Sequence, residues 1–91
     1  MNVLVDVPPS LRRLCGGETN LLARPGSVAD IVVELSRRFH GLGDRLCDPH
    51  GTLRGSVLVL VNDEDIRFLD CQRTAVVPGD RLSFVPAFAG G

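Results

Sequence analysis

Val28, Ile31, Val32, Leu35 and Phe39 form the one long helical stripe in this 91-residue chain. Their spacing (i, i+3, i+4, i+7, i+11) puts all five on one face of an α-helix, with Asp30, Glu34, Arg37 and Arg38 off it. Arg24-Pro25-Gly26 breaks the chain just before. Ser27 is the natural N-cap, and Asp30, three residues on, completes a weak capping box and suits the positive helix end. Glu34 and Arg38 stand at i and i+4, placed to pair. The helix is expected to end near His40, with Gly41 at the left-handed C-cap position. No second stripe of this length exists for it to pack on, so its apolar face must cover a sheet.

The strands are read from alternation. Val3-Leu4-Val5-Asp6-Val7 turns Val3, Val5 and Val7 to one side, and Pro8-Pro9 stops it. Residues 8–17 read as a loop that Gly16-Gly17 let reverse. Glu18 to Arg24 reads as a second short strand with Leu22 as its core contact. After the helix, residues 41–55 are glycine-rich and loop-like, with at most one helical turn at Asp44-Arg45-Leu46. Val57-Leu58-Val59-Leu60-Val61 is apolar on both faces and is expected to be central or covered on both sides. Asn62 to Asp65 turns the chain, and Ile66-Arg67-Phe68 returns as a short strand. Val77-Pro78-Gly79-Asp80 is a turn. Arg81 to Val85 is the last strand, Leu82 and Phe84 inward, with Pro86 ending its ladder. The order is β-β-α-β-β-β. The fold class is α+β: a mixed four- or five-stranded sheet covered on one face by one main helix, with the first and last strands side by side in the middle. Residues 1–85 make one domain and 86–91 a flexible C-terminal tail.

Composition removes several functions. The chain carries a net charge of −1, and with four Phe and no Tyr or Trp it has neither the basic face nor the stacking rings that nucleic acid requires. No apolar run approaches the ~20 residues of a membrane span. The N-terminus lacks a charged start and apolar signal core, so a cytoplasmic protein is expected. Cys15, Cys47 and Cys71 are too widely spaced for a metal or iron–sulfur set and are expected to be reduced thiols. Ser27, His40 and Asp44 form no recognisable nucleophile arrangement, so the chain is not expected to be an enzyme. All ten basic residues are Arg. An activated acyl group on this chain would meet no lysine amine of its own, and Arg is a poor nucleophile at neutral pH.

The remaining chemistry lies in Pro86-Ala87-Phe88-Ala89-Gly90-Gly91. Six residues can extend up to roughly 20 Å, enough to enter another protein's active site. Glycine at both final positions keeps the segment narrow and leaves the acyl carbon unhindered. A carboxylate must be activated before it reacts, most economically as an acyl-adenylate. This chain has no phosphate-binding loop, so an ATP-using partner is required. Phe88 either folds back onto the body or anchors the segment in the partner's channel.

With this element order, Val61-Asn62 opening one turn, Pro78-Gly79-Asp80 before the last strand and Gly90-Gly91 at the end, the chain resembles the MoaD/ThiS family of ubiquitin-like, β-grasp sulfur carriers. Met1-Asn2-Val3, the stretch Val61 to Phe68 and the stretch Pro86 to Gly91 resemble most the CysO-type carriers of actinobacterial cysteine synthesis. The resemblance implies a cycle. An E1-like enzyme of the MoeB/ThiF type adenylates Gly91, and a sulfur donor converts it to a thiocarboxylate. A PLP-dependent cysteine synthase then uses that sulfur, and a zinc peptidase releases cysteine. ATP, PLP and zinc would belong to the partners; no cofactor or metal is expected on this chain. Gly91 is the reactive site, and Gly90, Ala89, Phe88, Ala87 and Pro86 thread into partner sites. Relatives in molybdopterin synthesis dock through an apolar open sheet face. Here the comparable face reads as mixed, with Leu4, Ser83 and Val85 beside Asp6 and Asp65, which weakens that assignment. A carrier for molybdopterin, thiamin or a sulfur-containing secondary metabolite, a ubiquitin-like protein modifier, and a β-grasp binding module with an incidental glycine end remain as alternatives.

Overall fold

The structure, a computed structural model, describes residues 1–86. In chain order it has β1 (Val3–Asp6), a 3-10 helix (Pro9–Cys15), β2 (Asn20–Ala23), β3 (Gly26–Ser27), α1 (Val28–Arg38) and α2 (His40–Leu46). Then come β4 (Val57–Val61), β5 (Glu64–Asp65), two short 3-10 turns (Ile66–Phe68 and Cys71–Arg73), β6 (Ala75–Val76) and β7 (Arg81–Pro86). Five strands form one mixed sheet in the order β2-β1-β7-β4-β5, and β3 and β6 form a separate two-stranded ladder. β1 and β7 lie parallel at the centre, Val5 opposite Leu82, as the alternation of both strands implies.

The capping box forms: Ser27 Oγ accepts from the Asp30 N–H and Asp30 Oδ2 from the Ser27 N–H, both at 3.1 Å. Val28, Ile31, Val32 and Leu35 of α1 share one core with Val3, Val5, Val59, Val61, Leu82 and Phe84 of the sheet. The outer edge of β2 is closed by α1. Arg38 Nη1 donates to the Leu22 carbonyl at 2.6 Å, and Glu34 Oε1 accepts from the Arg24 N–H at 2.9 Å. The Glu34–Arg38 ion pair, 3.1 Å, ties the two together. An edge whose backbone groups are occupied this way offers less of a template to another strand.

Six local readings change. Leu22 is not the core contact of β2: it is 57% exposed, whereas Leu21 is 5% exposed and Ala23 is buried. Pairing with β1 decides this, because Leu21 stands opposite Val5 and Ala23 opposite Val3, and a one-residue shift flips every side chain to the other face. α1 stops at Arg38, Phe39 is extended at φ −136°, and Gly41 falls inside α2 rather than at a left-handed cap. The stretch 41–55 therefore opens with a helix, and α1 does have a helical neighbour. The glycines of α2 serve close packing: a Cβ on Gly43 would stand 2.7 Å from Ser36 Oγ, and one on Gly41 3.1 Å from a Leu14 methyl. The expected loop at 8–17 holds a 3-10 helix that buries Leu11 and Cys15. Ile66–Phe68 is a 3-10 turn and not a strand. Asp65 caps it by accepting the Arg67 N–H at 2.8 Å, which draws the chain off the sheet after a two-residue β5. β7 runs one residue further than expected, with Pro86 opposite Val57; β4, apolar on both faces, is buried mainly at Val59 and Val61.

The two turns singled out in the sequence meet in space. Asn62 and Asp63 both take positive φ (52° and 70°), the requirement of the tight hairpin joining β4 to β5. Gly79 at φ 95°, with the Asp80 N–H on the Val77 carbonyl at 2.9 Å, closes the Pro78-Gly79 turn. Asn62 Nδ2 donates to Asp80 Oδ1 at 2.9 Å, and Asn62 Oδ1 accepts from the Arg81 N–H at 3.0 Å. One side chain thus joins the end of β4 to the start of β7.

Candidate functional site

Two features of the described residues carry the site: the sheet face turned away from α1, and the point where the chain leaves β7. Alternation along each strand places Leu22 of β2, Leu4 and Asp6 of β1, Arg81, Ser83 and Val85 of β7, Leu58 and Leu60 of β4 and Asp65 of β5 on this open face. Register brings them into rows: Leu22 opposite Leu4, Leu4 opposite Arg81, Asp6 opposite Ser83, Ser83 opposite Leu60 and Leu60 opposite Asp65. Val85 stands opposite Leu58. Leu4, Ser83, Val85 and Asp65, the four docking residues expected from the sequence, therefore share one face.

The sequence reading missed Leu22, Leu58, Leu60 and Arg81. In sequence Leu22 reads as a core contact, and the unbroken apolar run of β4 has no alternation that separates its two faces. With them included, the face is more apolar than the mixed surface expected. Its acids are also paired: Arg81 Nε lies 3.4 Å from Asp6 Oδ2, and Arg67 Nη2 lies 2.7 Å from Asp65 Oδ2. The Arg67 guanidinium and backbone N–H hold the Asp65 carboxyl below the usual carboxylate range, and Asp65 in turn raises Arg67. The charge of Asp65 is thus satisfied within the chain by Arg67.

Pro86, the last described residue, is the root of the C-terminal segment. It is exposed, as is Val85 beside it. Both line a groove of about 400 Å³ at the end of the sheet, with Pro8, Leu11 and Val57 as further apolar wall and Asp44, Arg45 and Arg54 on its rim. Ala87, Phe88, Ala89, Gly90 and Gly91, the threading and reactive residues expected from the sequence, lie outside the described residues.

Nothing else described here gathers reactive groups. Among the described residues no three His, Cys, Asp or Glu side chains come together to hold a metal ion. The three cysteines are unpaired. Cys15 is buried in the core and Cys47 half-buried; burial pushes both thiols above their ordinary range, with Asp48 adding to the effect at Cys47. Among the described residues no helix is long and apolar enough to cross a membrane.

Comparison with known proteins bears on the family. The ThiS family model matches residues 5–91. The chain is 38% identical over 93 aligned positions, covering all of both chains, to the sulfur carrier protein CysO of Mycobacterium bovis, and equally to that of Mycobacterium tuberculosis. The crystal structure of a BexX/CysO complex from Amycolatopsis orientalis contains a chain 37% identical, with TM-score 0.89, covering 98% of this chain and 99% of that one. The crystal structure of Mycobacterium tuberculosis CysO matches with TM-score 0.87 at 35% identity, covering 96% of this chain and all of that one. The two Mycobacterium proteins matched by sequence are named as sulfur carriers and not as enzymes, and on the family match and full-length identity together the chain belongs to the ThiS family of ubiquitin-like sulfur carriers.

Proposed function

We propose that the protein carries sulfur as a thiocarboxylate on Gly91 and delivers it to the synthesis of cysteine. The observation that carries this reading is the full-length identity to CysO sulfur carriers, with the family match running through Gly90-Gly91. In the first step a carboxylate oxygen of Gly91 attacks the α-phosphorus of ATP held by an E1-like partner, releasing pyrophosphate. A sulfide-level sulfur from a donor then attacks the acyl carbon, and AMP leaves with the C–O bond. On a PLP-dependent cysteine synthase the thiocarboxylate sulfur then bonds to the β-carbon of O-phosphoserine as phosphate leaves, which joins cysteine to the Gly91 acyl group, and a zinc peptidase hydrolyses that acyl bond, freeing cysteine and restoring the carboxylate. The carrier supplies no acid, base or metal to these steps. Its part is to present an unhindered acyl carbon at the end of a narrow segment and to dock. Five residues beyond Pro86 reach at most about 17 Å, which fits a body held at the mouth of a partner's site. The open face with Leu22, Leu4, Leu58, Leu60 and Val85 is the surface we assign to that docking, by analogy with a relative that forms a complex with BexX. The assembly is placed in the cytoplasm, where ATP and reduced sulfur are at hand.

The test is the intact mass of the protein from its native host. A form with one carboxyl oxygen replaced by sulfur is expected, and deletion of Gly91 removes it. Sulfur retained by the chain lacking Gly91 would overturn the assignment. Thiocarboxylated protein offered separately to cysteine-, molybdopterin- and thiamin-forming enzymes, with product sulfur traced, then identifies the acceptor; transfer only to an enzyme outside cysteine synthesis refutes that pathway.

A further inference from the structure

The groove at the root of the C-terminal segment has an occupant within reach. Pro86 is part of its wall, so the chain beyond starts at its rim. Phe88 follows two residues on, at most about 7 Å away, and is the one large apolar side chain after Pro86. The groove, about 400 Å³, offers it Leu11, Val57, Val85 and Pro86 as an apolar wall. The rim carries the charge that the end of the chain lacks. Arg45 and Arg54 are exposed there, and Arg54 is oriented by donating from Nε to the Asp44 carbonyl at 2.8 Å. Asp44 is the one acid on the same rim, leaving it net positive. Gly91, three residues past Phe88, lies within about 10 Å of it along the chain, so its carboxylate can face these guanidinium groups. The other cavities do not combine these properties. The one beside β5 shares no residue with the root, and those along α1 are more polar.

We propose that this groove is a resting berth for the chain's own C-terminal segment, Phe88 seated on Leu11 and Val57 and the Gly91 carboxylate against Arg45 and Arg54. The berth holds the unactivated carrier, and a partner that takes the segment into its own site must first displace it. The docking involves no activation, so its failure and the failure of the sulfur-carrier reading are separate results.

Methyl-labelled full-length protein, not activated, tests this by NMR alongside Phe88→Ala and Phe88→Leu. Cross-relaxation between the Phe88 ring and the Val57 and Leu11 methyls is expected, with upfield shifts of those methyls that vanish in Phe88→Ala while Ile31 and Leu35 stay put. Phe88→Leu keeps partial docking. Arg45→Gln with Arg54→Gln lowers the docked-to-free ratio about two- to fivefold, the range for exposed ion pairs, and added salt acts in the same direction. Val57 and Leu11 resonances identical in wild type and Phe88→Ala would overturn the proposal. So would ring contacts elsewhere on the surface, or shifts that disappear on dilution and so come from a second copy.

Discussion

Leu21 and Leu22 are adjacent and chemically identical, yet the structure assigns them opposite duties, and replacing each with alanine separates them. Leu21 is 5% exposed, opposite Val5 and packed in the core; Leu22 is 57% exposed on the open face. Truncating a buried leucine costs about 2.7–5 kcal/mol, from lost transfer energy and the cavity left behind. β2 is an edge strand whose surroundings can relax, so Leu21→Ala belongs at the low end, about 2.5–3 kcal/mol. Leu22→Ala removes a side chain already more than half in water and costs under about 1 kcal/mol. The difference of about 2 kcal/mol is close to a thirtyfold change in the folded-to-unfolded ratio. For a domain of this size Leu21→Ala lowers Tm by about 10–20 °C and Leu22→Ala by only a few degrees. Urea unfolding at pH 7 measures both, and the m-value should hold in each variant so that the midpoints report stability. Equal costs, or a larger cost for Leu22→Ala, would refute the register of β2 and with it the composition of the open face.

Three further outcomes follow from particular contacts. The Asn62 amide, and then the Val77 N–H, hold the Asp80 carboxyl below its ordinary range. A carboxyl depressed in the folded state contributes stability above its unfolded pKa, about 3.9, and loses it as pH falls through the lower folded value. Acid titration of Asp80→Asn should therefore lack that part of the loss below pH 4, and an acid limb identical to wild type would count against the hydrogen bonds that Asp80 accepts from Asn62 and Val77. Alkylation under native conditions should label Cys71 first, Cys47 more slowly and Cys15 only on unfolding, following exposure and the raised thiols of the latter two; early labelling of Cys15 would contradict its burial. Gly43→Ala should destabilise by about 1–3 kcal/mol although alanine is the better helix former, because its Cβ would meet Ser36 at 2.7 Å. Chemical denaturation reads the sign, and a stabilised variant would show that α2 does not pack as described.

Much of this protein is legible in one dimension because the signals are local and periodic. The α1 stripe from Val28 to Leu35, its capping box, the inward Val3, Val5, Leu82 and Phe84, and the turns at Asn62 and Pro78-Gly79 each depend on a few neighbouring residues, and the structure keeps them; Phe39, the last residue of the expected stripe, falls beyond the end of the helix. The resemblance carried by those turns and by Gly90-Gly91 led to the family. What tertiary structure decided is where local signals are degenerate. Two adjacent leucines carry no period, so only pairing with Val3 and Val5 puts Leu21 inside. Gly41 and Gly43 read as a helix stop and a loop, yet both lie inside a second helix, where a Cβ would crowd Leu14 and Ser36. The all-apolar β4 hides which of its residues face outward until register with β7 puts Leu58 and Leu60 beside Val85 and Ser83. Asn62 and Asp80 are eighteen residues apart in the chain and hydrogen-bonded in the fold. Such contacts depend on closing long loops, and nothing in the spacing of residues along the chain encodes which distant groups that closure brings together.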